Sequence, residues 1–176
     1  MFRHIVNIIG FQAGWFAAVL GAGYGMPWFG VIAVPIILAF HVALSPHRKA
    51  EVLLLLSAGA AGFFIDTALV MTGVFTPVQY LLPSPLSPPW MVLLWMDFAT
   101  ALNVSLKKLH GRYILSAALG AVGGPSAYYS GAKLGATTSI PGATDLLILS
   151  AVWAAAVPAL FWIAARINKT YVKQIQ

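Results

Sequence analysis

Long apolar runs alternate with short polar breaks along the whole of this chain. A helix needs about 20 predominantly apolar residues to cross a bilayer. Six runs approach that length, at roughly 5–22, 27–44, 51–73, 89–107, 112–134 and 145–166. The pattern predicts an all-α, polytopic transmembrane bundle of about six spans, forming one domain over residues 1–176. The first run follows Arg3 as a secretory signal would, and Gly21-Ala22-Gly23 offers small residues for cleavage. Asn7, Gln12 and Trp15 interrupt its core, so a retained helix is expected.

Composition agrees with the pattern. Hydrophobic residues make up 60% of the chain and charged residues only 8%, whereas soluble domains carry roughly 25% charged residues. Too little polar material is present to coat a soluble fold. The absence of cysteine excludes disulfides, thiolate metal ligands and cysteine nucleophiles.

The net charge of +6 follows the breaks between runs. Arg3 precedes the first run; His47, Arg48 and Lys49 separate the second from the third. Lys107, Lys108 and Arg112 separate the fourth from the fifth, and Arg166, Lys169 and Lys173 follow the last. The alternate connections around 22–26, 74–88 and 135–144 hold no Lys or Arg, with Lys133 just beside them. This is the positive-inside pattern, and it predicts both termini in the cytoplasm. It accounts for the charge without nucleic acid, and no nucleic-acid partner is expected.

Four acids are present, and two of them, Asp66 and Asp97, fall inside apolar runs. Ionisable groups at membrane depth are costly and often mark a functional path. Asp66 shares a helical face with Gly59, Gly62 and Gly73, the kind of face along which neighbouring helices approach closely. Counting from the helix ends at about 1.5 Å per residue puts both acids roughly 10–12 Å below the outer surface. Trp15 and Tyr128 fall at similar depth, and Lys133 sits at the outer end of the fifth run. These five residues form a candidate tier for ligand binding or proton exchange. The competing reading is structural, each acid bonding a hydroxyl or a helix end.

A second tier lies at the inner ends: Asn7, His41, Glu51, Asn103 and Arg112. There Glu51 is expected to pair with Arg112 or Lys108. One His and one Glu lack the spacing of a metal site, so no metal and no cofactor are expected. The fifth run carries Gly120, Gly124, Pro125 and Gly131, a set that suits close helix packing or, through a loosened backbone ladder, a gate. The first run has its own small stripe through Asn7, Gly10, Gly14, Ala18 and Gly21, readable as an internal packing face or a dimer seam. Trp28, Trp90 and Trp95 near the outer ends, and Trp162 near an inner one, read as interfacial anchors. The 74–88 connection, rich in Pro and Leu, reads as an ordered turn at the outer interface, with a lid as the alternative. No phosphate-binding glycine loop or nucleophilic triad is evident.

Several stretches carry a family resemblance: NIIGFQAGW from Asn7 to Trp15, His41 with Glu51, Asp66, PWMVLLWMDFATALNVSLKKL from Pro89 to Leu109, and GGPSAYYSGAKLGA from Gly123 to Ala136. With these the chain resembles the bacterial inner-membrane family catalogued as domain of unknown function 2878, over nearly its whole length. That family often has His where this chain has Asn103, which weakens any role assigned to Asn103. The resemblance implies a small multi-pass inner-membrane protein, with no established reaction. Such proteins are often found alongside lipid-modifying enzymes, which points to membrane lipids as partners.

The leading expectation is therefore a protein that binds or handles a lipid or apolar ligand as an accessory to lipid modification. The first alternative is a small proton- or ion-coupled transporter or channel, forming a homo-oligomer. The second is a structural partner of another membrane protein, docking through its glycine stripes.

Overall fold

A computed structural model describes residues 2–171. Among them are six α-helices: α1 (Phe2–Gly23), α2 (Trp28–Ala43), α3 (Arg48–Met71), α4 (Pro89–Leu102), α5 (Tyr113–Lys133) and α6 (Ala143–Tyr171). A single 3-10 turn covers Lys107–Leu109. The all-helical expectation holds. By length and composition, α1, α3 and α6 are long and apolar enough to cross a membrane. The helices α2 and α4 have 16 and 14 residues, which at about 1.5 Å per residue gives only about 24 and 21 Å. Lys173 lies outside the described residues.

The helix ends show why the chain turns where it does. Thr72 caps α3, and Gly73 follows with φ 76°. The Gly73 N–H donates to the Val70 carbonyl and the Val74 N–H to the Leu69 carbonyl, both at 3.0 Å. This pair of bonds satisfies orphan carbonyls and needs the left-handed conformation that glycine adopts without strain. Gly135 closes α5 in the same manner, with bonds to the Ala132 and Gly131 carbonyls. The sequence places the end of α4 near residue 107, but Asn103 caps it after Leu102. The chain then folds back, with the Leu106 N–H on the Ala101 carbonyl at 2.8 Å.

Small residues set the packing. Gly30 of α2 lies against Ala18 of α1, and Gly21 lies against the Met26 carbonyl and Phe29. Gly59 and Gly62 of α3 receive Met96 and Trp95 of α4. The stripe on α1 is thus an internal packing face: Gly10 meets Ile37, Gly14 meets Asp97, and Asn7 bonds to Thr100. Leu54, Leu102, Leu149, Leu160 and Phe161 fill the centre. Large apolar side chains face outward, Ile114 at 90% exposure, with Ile36, Phe64 and Leu147 also exposed.

The segment between α3 and α4 is an ordered strap. Val74 and Phe75 are buried in the core. Its backbone meets the α5–α6 connection through Val78 N–H to the Ala136 carbonyl at 3.1 Å and Thr138 N–H to the Thr76 carbonyl at 2.9 Å. The Trp90 indole donates to the Gln79 carbonyl at 2.9 Å. Trp90 and Trp95 are each 2% exposed, so neither is an interfacial anchor. Both carry a buried N–H that has found an acceptor, whereas Trp28 is exposed as expected.

Candidate functional site

Asp66 lies in the second-last turn of α3 and is fully buried. Gly62, one turn earlier on the same face, leaves the space that the Trp95 ring fills. The Trp95 indole N–H therefore reaches Asp66 Oδ2 at 2.9 Å. The Tyr128 hydroxyl of α5 donates to Asp66 Oδ1. The rings around this carboxyl are ordered against one another. Trp95 stacks on Trp153 of α6 with centroids 4.3 Å apart and planes 13° apart. Phe75 from the strap meets Tyr128 edge-on at 5.0 Å. Trp153 finds its own room because Gly124 lies beneath its indole.

Beside these rings is a cavity of about 480 Å³. Trp15, Phe11 and Gln12 of α1 form one side, and Gly123, Ala127 and Tyr128 of α5 the other, with Trp95, Phe98 and Trp153 behind. Gly123 is open: a methyl group there would meet nothing within 4 Å. The walls are apolar apart from Gln12, a few hydroxyls and the Asp66 cluster.

Asp97 stands apart. It lies two residues beyond Trp95, which turns its side chain about 200° around α4. Its carboxyl packs on Gly14 of α1, is fully buried, and neither oxygen has a hydrogen-bond partner in the chain. The expected tier therefore divides. Asp66, Tyr128 and Trp15 come together around the cavity, while Asp97 faces the α1–α4 interface. Lys133 lies over the Tyr129 ring, 5.6 Å from its centroid, and pairs with neither acid.

The inner tier forms a polar network in which Glu51 takes unexpected partners. His41 Nε2 lies 3.2 Å from Glu51 Oε2, and the Asn103 amide donates to Glu51 Oε1 at 3.3 Å. The Asn168 amide donates to Asn103 Oδ1 at 2.9 Å, which brings in α6. Arg112 is exposed and takes no part, so the expected pairing with Arg112 or Lys108 does not form. A neighbouring cluster ties α1 to α4. The Asn7 amide donates to the Thr100 carbonyl at 3.1 Å and to the Thr100 hydroxyl at 3.0 Å, and the Ser105 hydroxyl donates to Asn7 Oδ1. Among the described residues no three His, Asp or Glu side chains are grouped to hold a metal ion.

The glycine-proline segment of α5, for which close packing and a loosened, gate-like helix were the two readings, is continuous helix. Proline at 125 has no N–H for the Ala121 carbonyl one turn back. The Ser150 hydroxyl of α6 donates to that carbonyl at 2.9 Å instead. Gly120 and Gly124 lie against Trp153, and a Cβ added at Gly131 would meet Val19 at 3.9 Å. These glycines serve packing within the chain. Trp95, Trp153, Ser105 and Asn168 are site residues that sequence reasoning missed. A tryptophan one helix away from a buried acid was the available signal for Trp95, since a buried indole N–H seeks an acceptor.

The chain belongs to the family described as protein of unknown function (DUF2878), whose model matches residues 4–159, in agreement with the resemblance carried by its motifs. No curated protein and no solved structure matches it.

Proposed function

We propose that this protein crosses a bacterial inner membrane six times with both termini in the cytoplasm. In that setting it takes a lipid or other apolar ligand into the cavity between α1 and α5, as an accessory to lipid modification. The observation that carries this reading is the cavity itself: about 480 Å³, walled by aromatic rings and an open glycine, with one hydrogen-bonded carboxyl behind it. Pockets for apolar ligands have this make-up, an apolar lining with a few placed polar groups.

The polar chemistry follows from the hydrogen bonds. Tyr128 commits its proton to Asp66, so its oxygen is left as an acceptor on a side chain that lines the cavity. A ligand with a hydroxyl or ammonium donor fits that acceptor. Asp66 acts through Tyr128 and Trp95, fixing both rings against the cavity wall. The orientation is supported by the basic residues of the 44–48 and 103–112 turns, which the Glu51–Asn103 bond brings to one end of the bundle, while Lys133 lies at the other. The strap and the turn after Leu102 extend the short α4 segment across the bilayer.

Comparing membrane lipid profiles of a deletion strain, the Asp66→Asn variant and the parent tests the reading. The deletion is expected to alter the profile and the variant to reproduce that alteration. A variant profile equal to the parent's, beside an altered deletion profile, would remove Asp66 from the site.

One observation favours a second reading, a small proton- or ion-coupled transporter. Asp97 is a buried carboxyl that no donor in the chain satisfies. Vesicles holding the purified protein would then show a flux that Asp97→Asn abolishes. No such flux across protons and common cations would set this reading aside.

A further inference from the structure

Helices α2 and α3 are joined by a tight turn, yet they splay apart on their outer face. Between them runs a groove of about 470 Å³. Leu38 and Val42 line it from α2, Val52 and Leu55 from α3, and Met96 of α4 forms its floor. Gly59 makes that floor possible, because it leaves Met96 room beside α3. Val52 and Leu56 remain exposed along the rim.

A cation stands at one end of this groove. Arg48 lines it, and its guanidinium donates to the Ala43 carbonyl at 3.2 Å. That single bond holds the side chain across the groove mouth and leaves further N–H donors unused. Lys49 follows and is exposed. The nearest acid, Glu51, is turned inward to His41 and Asn103. Among the described residues neither Arg48 nor Lys49 has an acid partner. An uncompensated guanidinium at the end of an apolar groove matches a phosphate attached to an acyl chain.

We propose that the α2–α3 groove is a binding site for an anionic glycerophospholipid. One acyl chain lies between the two helices over Met96, and the phosphate is held by Arg48 with Lys49 beside it. The site is separate from the cavity between α1 and α5 and rests only on the membrane setting of that reading.

The test is native mass spectrometry of the full chain in detergent, titrated with phosphatidylglycerol and with phosphatidylcholine of the same acyl chains. Phosphatidylglycerol is expected to bind about tenfold more tightly, because the choline cation of phosphatidylcholine compensates its phosphate and repels Arg48 and Lys49, whereas the phosphatidylglycerol phosphate is uncompensated. Arg48→Gln removes that preference, and Ala39→Phe, which fills the groove, weakens both lipids. Lys49→Gln, which disturbs no hydrogen bond of the fold, reduces the preference in part. Equal affinity for the two lipids overturns the proposal. So does a preference that survives Arg48→Gln. Loss of preference in Arg48→Gln with undiminished binding in Ala39→Phe overturns it as well, because only surface charge would then be at work. Gly123→Phe, outside the groove, leaves the Arg48-dependent preference unchanged, so a failure of the α1–α5 cavity reading is distinguishable from a failure here.

Discussion

Two glycines, one helix apart, are expected to respond to the same added methyl group with opposite sign. At Gly62 a Cβ would fall within the contact radius of the Trp95 ring atoms. The indole cannot move away freely. Its other face stacks on Trp153 at 4.3 Å, and its N–H is held by Asp66 at 2.9 Å. Overpacking of this kind costs about 1–3 kcal/mol, and a weakened hydrogen bond adds about 0.5–1.5 kcal/mol. Replacing a helical glycine with alanine returns at most about 1 kcal/mol. Gly62→Ala should therefore lose about 1–3 kcal/mol. At Gly123 nothing lies within 4 Å of the added Cβ, so only the helix preference acts. Gly123→Ala should be neutral or gain up to about 1 kcal/mol. Reversible unfolding in mixed micelles by sodium dodecyl sulfate, followed by tryptophan fluorescence, measures both. A Gly62→Ala protein as stable as Gly123→Ala would refute the proposed rigidity of the Trp95–Asp66–Tyr128 cluster.

Other consequences are open to the same assay. Tyr128→Phe removes one donor from Asp66 and should cost about 1 kcal/mol, and Asp66→Asn about 1–3 kcal/mol. In a double-mutant cycle the two should couple, since they share one bond. Ser150→Ala strands the Ala121 carbonyl that Pro125 leaves free, with an expected loss of about 1–3 kcal/mol, whereas Ser126→Ala, whose hydroxyl bonds only within its own helix, should change little. His110 packs edge-on against Phe161 at 5.1 Å, and burial, ahead of the nearby Lys107 charge, moves its pKa below the usual 6.5. The unfolded chain then binds the proton more readily, so stability is full above about pH 6.5 and falls as pH drops through that value towards the folded pKa. His110→Phe should flatten that dependence, and an unchanged pH profile would speak against the burial.

The apolar runs located all six helices because each is a continuous apolar stretch bounded by polar, glycine or proline breaks. Ends were less legible. The α4 helix stops before Asn103, and just beyond it Ser105 bonds to Asn7 of α1, a tertiary contact that the local sequence does not announce. Depth arithmetic set Asp66, Tyr128 and Trp15 at one level, since helical rise fixes height, and the three line one cavity. It also joined Asp97, because height says nothing about azimuth relative to a neighbour that is not yet placed. The opposed directions of Trp95 and Asp97 on α4 were readable from periodicity, and once Trp95 is bonded to Asp66 the two acids must part. Trp90 and Trp95 show the limit of reading tryptophan by depth alone: a strap carbonyl and a buried acid draw them inward.

The central claim is that the cavity between α1 and α5 holds a lipid-like ligand. Mass spectrometry of the amphiphiles retained by the protein purified from native membranes tests it most directly, comparing the parent with Gly123→Phe. Gly123 lines the cavity, and a Cβ there meets nothing within 4 Å, so the substitution starts from open space. The account predicts one amphiphile with a hydroxyl or amine donor, retained near stoichiometrically by the parent and lost from Gly123→Phe while the unfolding midpoint is unchanged. Equal retention in both proteins, or no retained amphiphile in the parent, would contradict it.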